Sequence, residues 1–99
     1  MIKHAVMIKL KEMPEAKRTE TAEMLKKALE NLQNEIEVIK SIEVGINTSD
    51  RPIAFDLLAV SVFNNYDDMN SFRFHPAHLN VVDIIKPVEH QSVLVDYEI

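Results

Sequence analysis

The chain has 99 residues, a net charge of −5, 46% hydrophobic content and no cysteine. That length suits one domain, 1–99, and the missing cysteine excludes disulfides, thiolate nucleophiles and Cys-type metal sites. An acidic balance without a Lys/Arg run argues against a nucleic-acid partner, and a single glycine, Gly45, excludes the Gly-rich phosphate loops.

Residues 2–11 alternate. Ile2, His4, Val6, Ile8 and Leu10 share one face, and Lys3, Ala5, Met7 and Lys9 share the other, so period two predicts a strand. The segment KHAVMIKLK is too short and too interrupted by lysine for a signal peptide or a membrane span, so no membrane partner and a cytoplasmic setting are expected. Met13-Pro14-Glu15 breaks the strand, with proline and an acid suited to a first helical turn. Ala22, Leu25, Ala28, Leu29, Leu32 and Ile36 form a stripe that predicts a helix over 15–35. Its glutamates fall on the solvated side.

VIKSIEVGIN (38–47) returns to a strand pattern, with Gly45 marking a bulge or a close backbone approach. TSDRP reads as a loop. AFDLLAVSVF (54–63) is nearly all apolar and predicts a central strand covered on both faces. NNYDD supplies a cap and acids for a short helix ending near Phe74. Pro76 opens another helix. Its two stripes, Leu79/Val82/Ile85 and Val81/Ile84/Val88, predict broad burial, and Pro87 ends it. His90 falls in a turn, and SVLVDYEI closes the chain as a strand.

The order strand, helix, strand, strand, helix, strand is that of an α+β, ferredoxin-like βαββαβ domain with an antiparallel four-stranded sheet under helices on one face. The other face carries Ala5, Met7 and the apolar third strand, which is too greasy for a solvated surface. A homodimer through the sheet faces is therefore expected.

This topology brings both chain ends to the stretch RFHPAHLNVVDIIKP. The helix opening at Pro76 and the first strand both run antiparallel to the last strand, so His4, His78 and Asp96 meet at one end. Asp96 is expected to bond His78, fixing its tautomer so that the ring accepts a proton. The helix N-terminus disfavours a cationic ring and favours a carboxylate or oxyanion on a ligand. Val6, Ile8, Leu29, Phe72 and Val82 are expected to line an apolar cavity beside these groups, with His75 as a further ligand contact or merely a helix cap. A metal held by His75, His78 and His4 is not expected, because Pro76 kinks the chain between two of the rings and no further ligand cluster accompanies them.

KHAVMIKLK, SIEVGIN, FRFHPAHLNVVDIIKP and VLVDYEI together resemble the stress-responsive A/B barrel domain (Dabb) family, in order and over nearly the whole chain. The resemblance implies a dimeric α+β barrel in which two sheets face each other and the helices lie outside. The family includes small stress-associated proteins and a plant branch with a polyketide cyclase that closes rings by aldol condensation without a cofactor. That branch's basic histidine and supporting acid match His78 and Asp96, whereas its tyrosine position holds Phe72 and its third-strand histidine falls at about Leu57. The expected function is binding of a small aromatic or keto-acid ligand. The alternatives are a cofactor-free cyclase, isomerase or lyase with His78 as general base, and a structural stress protein with no ligand. No cofactor is implied.

Overall fold

The computed structural model describes residues 1–99. Alternating residues form β1 (Ile2–Leu10), and the apolar stripe forms α1 (Glu15–Glu35). The chain continues through β2 (Ser41–Ile46), β3 (Leu57–Phe63), α2 (Tyr66–Arg73), α3 (Pro76–Ile85) and β4 (Glu89–Glu98). The sheet has the order β2-β3-β1-β4 with every neighbouring pair antiparallel, which is the ferredoxin-like arrangement. No helix is long and apolar enough to cross a membrane.

Strand parity decides the core. Ile2, Ile8 and Leu10 of β1, Leu57, Ala59 and Phe63 of β3, and Val44 of β2 are buried on the inner face. Above them pack Ala22, Leu25, Leu29 and Leu32 of α1 with Met69 and Phe72 of α2. Each large apolar side chain so buried contributes about 1.5–3 kcal/mol. Asn65 caps α2, its side-chain oxygen accepting from the Asp68 N–H at 2.8 Å.

Several expectations are corrected. Gly45 sits in regular register opposite Leu58, and a Cβ there would meet nothing within 4 Å, so it is neither a bulge nor a close approach. The irregularity is on β4 instead. Lys9 pairs with Gln91 and Leu10 with Glu89, which leaves His90 as the extra residue of a bulge. Thus β4 starts at Glu89 rather than Ser92, and His90 is in a strand rather than a turn. β2 and β3 start three residues later than the apolar pattern suggests. At β3 the reason is Asp56, whose carboxylate accepts from the Leu10 N–H at 2.7 Å and pairs with Arg18, fixing the loop before the strand.

α3 is not broadly buried: only Val81 is fully covered, while Leu79 is 46% and Ile84 43% exposed. The helix leans on α1 and α2 by the edge that carries Val81 and leaves one member of each stripe, Leu79 and Ile84, outside. β3 is central but covered on one side only, since Leu58 on its outer face is 41% exposed.

Leu25→Ala should lower the unfolding free energy by about 2–5 kcal/mol, read from the urea midpoint at unchanged slope, because it opens a void at a fully buried site. Leu79→Ala should cost less than about 1 kcal/mol, and an equal loss at both positions would contradict this division of the helices.

Candidate functional site

His4 points inward because it shares the parity of Val6 and Ile8. The β1–β4 register places Asp96 directly opposite it, and the β1–β3 register places Ser61 on its other side. The His4 Nδ1–H donates to the Asp96 carboxylate, and both side chains are part-buried. This corrects the expected His78–Asp96 pair. Directly opposed strand residues have Cβ atoms about 5 Å apart, so the acid reaches its cross-strand neighbour before a residue in the helix layer above.

His78 takes another partner. Its Nδ1–H donates to the Arg73 carbonyl oxygen at 3.0 Å. Arg73 ends α2, and its carbonyl is among the helix-terminal acceptors that lack an intrahelical donor. His78, in the first turn of α3, supplies that donor across the corner between the two helices.

Phe72 separates the two rings. Its centroid lies 4.2 Å from His78 at a 39° tilt and 6.0 Å from His4 at a near-edge 66°, with Phe63 behind it at 5.0 Å. The three functional candidates therefore do converge, but as a His4–Asp96 pair and a separate His78 on either side of an aromatic ring.

His75 has the capping role. It is the N-cap of α3, and its Nδ1 accepts from the Ala77 N–H at 3.0 Å, followed by Pro76 at the first helical position. It does not line the cavity, which corrects its expected role as a ligand contact. His75, His78 and His4 each turn Nδ1 to a different partner, and no group of three His or acidic side chains is arranged to hold a metal ion.

Between sheet and helices lies a cavity of about 220 Å³. Val6, Ile8, Leu29, Phe72 and Val82 line it, together with His4 and His78. Asp96 stands behind His4 and does not reach it. Ile42, Ala59, Ser61, Ile85, Lys86, Glu89 and Ser92 complete the wall. The strand pattern held the signal for Ala59 and Ser61, which share the inner parity of β3. Glu89 arrives through the β4 bulge, for which the sequence carried no signal. A larger groove of about 620 Å³ runs beside the Arg18–Asp56 pair. Its walls carry Lys9, Glu12, Glu15, Glu23, Asp50 and Arg51, charges of both signs that water solvates well, so the smaller apolar cavity is the better candidate.

Burial pushes the His78 imidazole below its usual value of 6.5. The Arg73 carbonyl works in the opposite direction, and the charges of His4 and Arg73 lower it further. At neutral pH the ring is thus uncharged, with Nδ1 protonated toward Arg73 and a bare lone pair on Nε2. An NMR titration should place the His78 midpoint below 6.5, and a midpoint above 6.5 would contradict the geometry. The unfolded ring binds its proton more tightly than the folded one. The stability linked to His78 is therefore intact above the unfolded pKa and is lost as pH falls through the lowered folded value, a loss that His78→Gln should remove.

The sequence matches the family model described as "Stress responsive A/B Barrel Domain" over residues 2–99. No functionally curated protein matches it. Among solved structures, a dimeric protein of unknown function with a ferredoxin-like fold from Bacteroides fragilis is similar at 31% identity, with a TM-score of 0.91, over 99% of this chain and 95% of that one. A Dabb family protein from Mesorhizobium loti aligns at 21% identity and TM-score 0.75, over 99% of this chain and 95% of that one. The hydroxynitrile lyase of Passiflora edulis aligns at 22% identity and TM-score 0.81, over 99% and 92%, and shares the fold. The chain belongs to the stress-responsive A/B barrel domain family.

Proposed function

We propose that the protein binds a small, largely apolar carbonyl compound in the cavity between sheet and helices, and that His78 takes a proton from the carbon beside the carbonyl. The observation that carries this reading is an uncharged imidazole, bonded through Nδ1 only, in a cavity whose other lining residues are mostly apolar. The fold alone would not select a chemistry, because the same scaffold serves unrelated functions.

The size of the cavity limits the ligand. Its 220 Å³ equals the liquid volume of about seven waters. Tightly packed, that accommodates roughly ten non-hydrogen atoms, the size of a small aromatic or keto compound. Val6, Ile8, Leu29, Phe72 and Val82 supply apolar contact. Phe72 brings no hydroxyl, so its ring packs and orients without donating a hydrogen bond.

In the proposed step, His78 Nε2 accepts the carbon-bound proton and the electron pair moves onto the carbonyl oxygen. An imidazole that burial holds in its neutral form can take up a proton in that task. The Ser61 hydroxyl and His4 flank the region where the oxyanion develops. Asp96 holds His4 by Nδ1, and a proton carried on its Nε2 would sit on a ring already bonded to a carboxylate. His78 and His4 are thus the proposed catalytic groups, and Asp96 positions His4.

We further propose that the chain works as a homodimer through its outer sheet face, closing an eight-stranded barrel from two sheets. Met7 is 42%, Leu58 41% and Val95 62% exposed there, an apolar surface that water covers poorly. The dimeric description of the Bacteroides fragilis relative agrees with this.

Deuterium uptake into 4-phenylbutan-2-one beside its carbonyl tests the base. The native protein should accelerate uptake, and His78→Gln should lose that acceleration by about 10²-fold or more. Equal uptake with both proteins would leave binding without catalysis. Native mass measurement should give twice 11.4 kDa, and Val95→Glu should return the mass to one chain. A native protein that stays single would undo the dimer.

A further inference from the structure

The cavity has a second polar end that the proton chemistry does not use. Lys86, Glu89 and Ser92 line it. Ser92 pairs with Ile8, four residues along β1 from His4, a span of about 13 Å. Lys86 lies eight residues along from His78 at the far end of α3, a span of about 12 Å. Apolar side chains, among them Val6, Leu29, Val82 and Ile85, separate the two ends.

Glu89 reaches this end through the β4 bulge. Inner parity on β4 belongs to Ser92, Leu94 and Asp96, so strict alternation would place His90 inward and turn Glu89 outward. The extra residue at His90 instead sets Glu89 opposite Leu10, which is buried on the inner face. There Glu89 is half-buried and lines the cavity. The ion pairs of the chain are His4–Asp96, Arg18–Asp56 and Lys26–Glu30, so Glu89 and Lys86 are joined neither to these groups nor to each other.

A free carboxylate and a free ammonium on one wall suit a third group set between them. That group must donate to Glu89, which only accepts, and accept from Lys86, which only donates. A hydroxyl does both. A ligand carboxylate would meet the charge of Glu89, and a ligand ammonium that of Lys86. We infer that the ligand carries a hydroxyl at the end remote from its carbonyl, held between Glu89 and Lys86, as in a phenolic ketone or aldehyde. This rests on the reading of the cavity as a carbonyl-binding site.

The test compares three probes by NMR titration of the native protein: 4-(4-hydroxyphenyl)butan-2-one, 4-phenylbutan-2-one and 4-(3-oxobutyl)benzoic acid. The hydroxyl probe should bind about tenfold tighter than the phenyl probe, as expected for a hydrogen bond to a charged group. Glu89→Ala should bring that ratio to about one. Lys86→Met, at an exposed position, should reduce it independently and guards against misfolding of the first variant. Equal binding of the first two probes, a preference that survives both substitutions, or tightest binding of the carboxylate would overturn the inference while leaving the carbonyl site standing. Binding of none of the three would overturn both.

Discussion

Antiparallel pairing of the first and last strands sets Asp96 opposite His4, and the carboxylate holds that ring by its Nδ1 proton. Because the acid is taken there, His78 turns to the Arg73 carbonyl at the end of α2 and binds the corner between two helices. Each ring is thus fixed by Nδ1, and both rings line the cavity. One is backed by a full negative charge and the other by a neutral carbonyl in a drier setting. In the proposed step that difference gives them different work: the neutral, desolvated His78 accepts a proton, and the carboxylate-backed His4 stands near developing charge.

The scaffold holds this site by closing one side of the sheet only. α1 ties down the β2 edge with polar contacts as well as packing. Lys26 Nζ donates to the Val44 carbonyl at 2.7 Å, and Glu30 accepts from the Val44 N–H at 3.1 Å. A covered edge of this kind does not invite further strands. β4, at the opposite edge, is nearly all exposed, and its Leu94, Val95 and Tyr97 await cover. A domain of this size buries too little surface to leave such a strand bare at no cost, so dimer formation and integrity of the His4–Asp96 pair are joined through the same strand.

The sequence made much of this legible. Strict alternation in β1 placed His4, Val6 and Ile8 on the cavity side, and the spacing of α1 supplied Leu29. The helix-breaking Pro76 located His78 at a helix mouth. Placing His78, His4 and Asp96 at one end needed only the topology. Choosing which histidine takes the acid needed the β1–β4 register, which runs unbroken from Ile2 opposite Glu98 to Lys9 opposite Gln91 and which strand parity alone does not supply. The extra residue at His90 leaves no periodic trace, and so Glu89 was invisible as a cavity group. The stripes of α3 were read as burial, but Leu79 and Ile84 show that an apolar pattern gives a preference for cover and not the neighbour that provides it. Gly45 misled in the same way, since a small residue on an open sheet face has no local signature that separates it from a bulge.

The account stands on where two imidazole protons sit. A long-range ¹H–¹⁵N correlation spectrum at about pH 8, above the ordinary imidazole range, reads them directly. A proton on Nδ1 of both rings, directed at Asp96 from His4 and at the Arg73 carbonyl from His78, with a bare Nε2 on His78, is the predicted pattern. A proton on Nε2 of His78 would take away the lone pair proposed to face the ligand, and the central claim would fall with it.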